Sequence, residues 1–370
     1  MAHGAELIST AKGLEAVAAR LLDAEAVAVD TEFFWERTYY PVLGLVQLAT
    51  ADGCWLVDAV ALSDLRALGP VLAARDITKL LHDAPQDLGI LARATGALPH
   101  TVFDTRVAAG FAGFSSTGSL QALLRDALGV ELAKAETRSD WLRRPLSEGQ
   151  LRYAAEDVIH LIPLREALLA RCAGDIARAW LTEELARLED ASLYGDRDPR
   201  LMYQRVKGGS RLEPRQLAVL REVAAWREQE ARQRDWPRGH VLPDSLLTAI
   251  AQRSPATLDA LQTVPEFPQK MPAAVAARLL DAVTQGLAVQ ADACPQPFGL
   301  DVAAKRGLKP TCDRLLAHIK AACEPYGIDP ALVASRADAE SYVSRLSDNA
   351  TADCPLSRGW RHTLTAGFTP

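Results

Sequence analysis

The sequence predicts a mixed α/β domain over residues 1–172 followed by all-α units, on three observations. Apolar runs of strand length alternate with helix-period segments up to Asp104. Beyond Asp104 the patterning is helical throughout. Two stretches rich in Gly, Pro or Arg, Leu193–Pro214 and Cys294–Phe298, interrupt that helical half. They divide the chain into 1–172, a helical linker over 173–210, and helical units at 211–291 and 296–370. A length of 370 residues exceeds what one hydrophobic core usually organises.

Each element has its own signal. Leu14, Val17, Ala18, Leu21 and Leu22 recur at helical spacing, so a helix is expected to open the domain. Ala26–Asp30, Leu43–Ala49 and Cys54–Val60 read as a meander of strands, punctuated by Pro41, Gly44 and the Ala51-Asp52-Gly53 turn. Leu62–Ala74 reads as helix and Ile77–Leu81 as strand. The next helix is expected to start at Asp83-Ala84-Pro85-Gln86, with Asp83 as its cap. A long helix is expected from the capping-box spelling Ser147-Glu148-Gly149-Gln150 to about Ala170, kinked at Pro163.

Composition narrows the functional classes. Apolar residues make up 49% and charged residues 24%, and no apolar run approaches the roughly 18 residues of a membrane span. No membrane partner is therefore expected. The N-terminal stretch around Leu7-Ile8 lacks a basic n-region and a long apolar run, so the cytoplasm is the expected address. The six cysteines form no CxxC pair and are expected to be free thiols. The formal charge of −6 hides a basic window, because Gly195–His240 carries eleven Arg/Lys against seven Asp/Glu. No P-loop, GxGxxG, HExxH or GxSxG is present, which argues against ATP and small organic cofactors.

The chemistry concentrates in acids. Strand alternation puts Asp30 and Glu32 on one face at the expected end of the first long strand. Asp87 borders the buried stripe of the helix after Pro85. Tyr153 and Asp157 are four apart on one helix face, either solvated or facing a cleft. Four carboxylates without a His or Cys cluster suit Mg²⁺ or Mn²⁺ better than zinc, and a pair of such ions is what phosphodiester hydrolysis uses.

In order, Asp30-x-Glu32, Asp87 and Tyr153-x-x-x-Asp157 resemble the three motifs of the DEDD exonuclease superfamily, in its tyrosine branch. The stretches Asp30-Thr-Glu-Phe, Arg37-Thr-Tyr-Tyr-Pro-x-Leu-Gly-Leu-x-Gln47, Phe103-Asp-Thr and Ser139-Asp-Trp-Leu-x-Arg-Pro-Leu-Ser147 resemble ribonuclease D. The resemblance spans about 170 residues and implies a ribonuclease H-like fold and 3′ to 5′ trimming of tRNA precursors and other structured RNAs. It further implies two Mg²⁺ or Mn²⁺ ions, release of nucleoside 5′-monophosphates and a monomer. By position, Asp30, Glu32, Asp87 and Asp157 would be catalytic metal ligands and Tyr153 would orient the water. The unit at 211–291 resembles the HRDC module, through Trp226-Arg227, Asp235-x-Pro237 and Asp244-x-Leu246-Leu247. Residues 296–370 are similar to its degenerate second copy, through Leu332-Val-Ala-Ser-Arg336.

Further contacts to RNA are expected from Phe33 and its neighbours Phe34 and Trp35, by stacking. Lys134, Arg138, Arg143 and Arg144 are placed to hold phosphates. Arg215, Arg221, Arg227, Arg232, Arg234 and Arg238 are expected to do so on the helical modules, unless Glu222, Glu228 and Glu230 balance them. His82 and His160 are expected to be neighbours of the site and not ligands. Two other readings stay open: a DNA 3′ exonuclease with the same acids, and a non-catalytic RNA-binding scaffold.

Overall fold

The computed structural model describes residues 4–132, 139–172, 174–299, 302–346 and 354–370. They form two compact units, one of Met1–Phe34, Leu43–Gly195 and Gly307–Pro370, the other of Trp35–Val42 and Asp196–Arg306. Among the described residues, no helix is long and apolar enough to cross a membrane.

The first unit opens not on a helix but on a short strand, β1 (Glu6–Ile8), followed by α1 (Ala11–Leu22). Three residues are too few to show a period, and β1 exists only through parallel pairing of Glu6, Leu7 and Ile8 with Trp55, Leu56 and Val57. The meander is β2 (Ala26–Phe34), β3 (Val42–Thr50) and β4 (Gly53–Asp58). β4 stops two residues short of the expected Val60, because the Asp58 carboxylate turns the chain by accepting from the amides of Val60 and Ala61, both at 3.0 Å.

The helix expected over 62–74 shrinks to α2 (Gly69–Ala73), since Pro70 is tolerated only in a first turn. β5 (Thr78–Leu81), α3 (Pro85–Thr95), β6 (Val102–Asp104), α4 (Thr105–Phe111) and α5 (Leu120–Leu128) follow. The long helix divides into α6 (Glu148–Ile159) and α7 (Leu161–Arg171), with α8 (Gly174–Ala186) after it. Pro163 explains the break: it has no N–H to offer the carbonyl of Ile159, and α6 ends there.

The sheet order is β1-β4-β3-β2-β5-β6. β1 and β4 are parallel, β4 and β3 antiparallel, and β5 is parallel to both β2 and β6, so the sheet is mixed. Its residues alternate between two layers. Ala28, Leu45, Leu56 and Leu80 pack with α4, α6 and α7, while Val27, Val29, Val46 and Val57 pack with α1, α2 and α3.

The second unit is built around α9 (Pro214–Arg234), with α10 (Arg238–Val241), α11 (Asp244–Arg253), α12 (Leu258–Gln262) and α13 (Ala273–Leu287). α13 lies so close to α9 that a Cβ on Gly286 would stand 2.5 Å from the Val219 Cα. Only glycine fits that crossing.

The C-terminal helices are α14 (Val302–Cys323), α15 (Pro330–Val333), α16 (Arg336–Leu346) and α17 (Gly359–Thr365). The sequence separates 296–370 as its own unit, yet from Gly307 onward this segment shares the core of the first unit. The reason is the apolar outer surface of α4 and α8, which the C-terminal helices cover. Trp360 packs on Phe111 with ring centroids 5.0 Å apart and on Trp180 at 5.9 Å. Asp329 accepts from the Ser116 amide at 2.7 Å and its hydroxyl at 2.8 Å.

Candidate active site

β2 brings the first two acids. Because Ala28 faces the layer of α6 and Val29 the layer of α3, Asp30 and Glu32 point toward α6 and Thr31 toward α3. The strand does not end at Asp30, as its apolar run suggests. It continues to Phe34 beside β3, whereas β5 stops at Leu81, after a register with β2 that runs from Ala26 to Ala28.

The other acids come from helices on opposite sides of the sheet. α6 is started by Ser147, whose hydroxyl accepts from the Gln150 amide at 3.2 Å while the Gln150 side chain accepts from the Ser147 amide at 3.0 Å. Ala154, Ala155 and Val158 bury one side of α6, while Tyr153 and Asp157 lie against the acids of β2. One carboxylate oxygen from each of Asp30, Glu32 and Asp157 lies within 4.8 Å of the others. Asp87, 9% exposed in the first turn of α3, accepts a hydrogen bond from the Thr31 hydroxyl. Thr31 thereby ties the fourth acid to the strand carrying the first two.

Gathering these acids is electrostatically costly. Burial, then the charges of Asp87, Asp157 and Glu32, push Asp30 well above the usual carboxylate range. Burial, then Asp157 and Asp87, raise Glu32 to about 8. Burial raises Asp157 to about 7 against the opposing hydrogen bond from Tyr153, and Asp87 to about 6 against that from Thr31. The Tyr153 phenol moves upward through burial and the charges of Asp157, Glu32 and Asp30, so it keeps its proton at neutral pH. One Asp157 oxygen is buried with no hydrogen-bond partner. Oxygen donors that repel one another, one of them unsatisfied, fit hard divalent cations.

The helix carrying Asp87 is not capped as expected. Asp83 sits at φ 67° and pairs with Arg106. The cap comes from Asp104 at the end of β6, whose carboxylate accepts from the amides of Asp83 at 3.1 Å, Ala84 at 2.9 Å and Arg106 at 2.8 Å. Phe103-Asp-Thr therefore carries an aspartate that starts α3 and α4 together. His82 is spent on Thr105 and the Gly118 carbonyl at 3.0 and 3.2 Å, and His160 forms the junction of α6 and α7; neither joins the acids.

Several expected phosphate contacts are otherwise engaged. The Arg144 guanidinium clasps Asp58 at 2.6 and 2.7 Å and donates to the carbonyls of Gly44 and Trp141, both at 2.8 Å. Gly44 is required there, since a Cβ would meet the Trp141 carbonyl oxygen at 2.7 Å. Arg227 is 5% exposed and holds Asp244 at 2.7 Å and the Leu242 carbonyl at 2.9 Å, so it cannot reach a phosphate. The basic window mostly neutralises buried glutamates of α9: Glu222 takes Arg200 and Arg221, Glu228 takes Arg232 and Arg238, and Glu230 takes Arg234 and Arg278. Arg215 is tied to the carbonyls of Leu287 and Val289. Arg143 is exposed, Phe33 is half-buried, and Lys134 and Arg138 lie outside the described residues.

Comparison with known proteins identifies the family of this chain. Residues 5–172 match the 3′-5′ exonuclease family model and residues 216–283 the HRDC domain model. Ribonuclease D of Desulfotalea psychrophila is 38% identical over 98% of this chain and 96% of its own. That of Gluconacetobacter diazotrophicus is 37% identical over 97% of this chain and 90% of its own. Among solved structures, Escherichia coli RNase D, an exoribonuclease involved in structured RNA processing, superposes with a TM-score of 0.83 at 30% identity. The match covers 98% of this chain and 96% of that one.

Proposed function

This chain belongs to the ribonuclease D family and is a 3′-5′ exoribonuclease, and on that premise we propose that it trims the 3′ ends of tRNA precursors and other structured RNAs to nucleoside 5′-monophosphates. Asp30, Glu32 and Asp157, with Asp87 held beside them by Thr31, would hold two divalent ions, Mg²⁺ or Mn²⁺. The observation that carries this reading is the convergence of three carboxylates within 4.8 Å, one keeping a buried oxygen unsatisfied. When bound, such ions supply an activated water and neutralise charge on the leaving 3′ oxygen.

The chain's own residues do the rest. Tyr153 stays protonated and hydrogen-bonded to Asp157, so its phenol is fixed at the edge of the cluster, where it orients a water toward the scissile phosphate. Thr31 holds the Asp87 carboxylate in place by the hydroxyl it donates. Trp141 backs the Tyr153 ring at a centroid distance of 6.0 Å and limits its rotation.

The test is incubation with 5′-labelled tRNA bearing extra 3′ nucleotides, and with a matched DNA strand, in Mg²⁺, Mn²⁺ or EDTA. Stepwise shortening of the RNA alone, abolished by EDTA, is expected. Equal shortening of the DNA would overturn the substrate assignment, and shortening in EDTA would overturn the metal site.

A further inference from the structure

Five of the chain's seven tryptophans are buried or half-buried. The other two, Trp35 at 64% and Trp236 at 47% exposure, both belong to the second unit. A single exposed indole is unremarkable on a protein surface. These two, however, sit on segments stitched to each other: the Asp235 carboxylate accepts from the backbone amides of Tyr39 and Tyr40, both at 3.0 Å. Trp35 is four residues before Tyr39, so its Cα lies within about 15 Å of that stitch. Trp236 adjoins it directly.

Both stitched segments are firmly held. Tyr39 is gripped by Glu228, by Arg232 at 3.1 Å and by Arg238 at 2.9 Å. The Trp236 amide closes the end of α9 by donating to the Ala231 carbonyl at 2.9 Å. The backbone under Trp236 is thus fixed while the residue stays 47% exposed. The Arg234 guanidinium lies over that ring, 5.4 Å from its centroid, and exposed Arg37 is two residues from Trp35.

We propose that Trp35 and Trp236 form a stacking platform for unpaired bases of single-stranded RNA, with exposed Arg37 contributing charge for its phosphates and Arg234, paired with Glu230, holding the Trp236 ring. This rests on the reading of the chain as an exoribonuclease. Every base has a π-face, so two indoles bind a strand without choosing its sequence, and the exposed Arg37 cation matches its backbone. Fixed backbones keep the ordering cost low.

The experiment uses the full-length protein with Trp35→Ala, Trp236→Ala and the corresponding phenylalanine variants. Steady-state rates are measured on a single-stranded 20-mer, on a blunt duplex of the same length and on a dinucleotide too short to reach both rings. Each alanine variant should raise KM for the 20-mer roughly tenfold with kcat nearly unchanged. The dinucleotide rate and the KM for the duplex should change less than twofold, and phenylalanine should restore most of the loss. Indole emission should be quenched by the 20-mer in the parent and less so in the double alanine variant. An unchanged KM for the 20-mer would overturn the platform, and if the variants also abolished a self-association seen by sedimentation, the patch would be a contact between copies. Equal losses on all substrates, or no rescue by phenylalanine, would also overturn it. A parent protein that shortens no RNA would instead remove the underlying exoribonuclease reading.

Discussion

At the residue scale, the acid cluster makes the metal-free protein pH-sensitive with a definite sign. Glu32 and Asp157 titrate near 8 and 7 in the folded chain against ordinary values of 4.5 and 3.8. Between those limits the folded state binds more protons than the unfolded one, so stability falls as pH rises through that window. In EDTA, Tm should be lower at pH 9 than at pH 6, and saturating Mn²⁺ should raise it more at pH 9 than at pH 6. A Tm indifferent to both would count against a cation site. Asp157→Asn removes one repelling charge, so it should raise the metal-free Tm at pH 9 while lowering kcat at least about a hundredfold. Tyr153→Phe spares the charges and deletes a hydrogen bond; a loss of roughly tenfold to a hundredfold is expected in single-turnover assays.

At the element scale, the sheet and the segment leading into α6 are joined through the Arg144–Asp58 pair. Burial alone would raise Asp58, but the hydrogen bonds from Arg144 and the Ala61 amide hold it below the usual carboxylate range. The pair is mostly enclosed, with 24% and 6% of the two side chains exposed. Arg144→Ala leaves Asp58 and the carbonyls of Gly44 and Trp141 without their donor, and should cost about 2 to 4 kcal/mol in urea unfolding. Lysine should recover only part of it, since one ammonium cannot reproduce the fork. The salt dependence of RNA affinity should not change in Arg144→Ala, which separates this role from phosphate binding.

At the scale of the whole molecule, the C-terminal segment is part of the nuclease unit. Leu356, Trp360 and Leu364 are each at most 2% exposed in that core. A chain ending at residue 306 would lack these side chains and leave Phe111 and the outer side of α8 uncovered, a loss of about 1.5 to 3 kcal/mol for each large side chain exposed. Such a truncation should aggregate or melt well below the full chain in a thermal scan. A soluble truncation with the parent's Tm would show the segment to be dispensable.

The motif acids, the mixed α/β class and the helical character of the second half were all legible in the sequence, because each rests on local patterning. Alternation put Asp30 and Glu32 on one face, four-residue spacing put Tyr153 beside Asp157, and capping residues started α6. What only the tertiary structure decided depends on pairs remote in the chain. The strand at Glu6–Ile8 needs β4, the cap of α3 comes from Asp104, and the face of Tyr153 and Asp157 was ambiguous until α6 docked. Arginine count likewise could not tell a phosphate contact from an internal one. The guanidinium of Arg227 looks in sequence like that of Arg37, but one is buried against Asp244 and the other lies in solvent. Charge is a property of the residue, whereas its partner is a property of the fold.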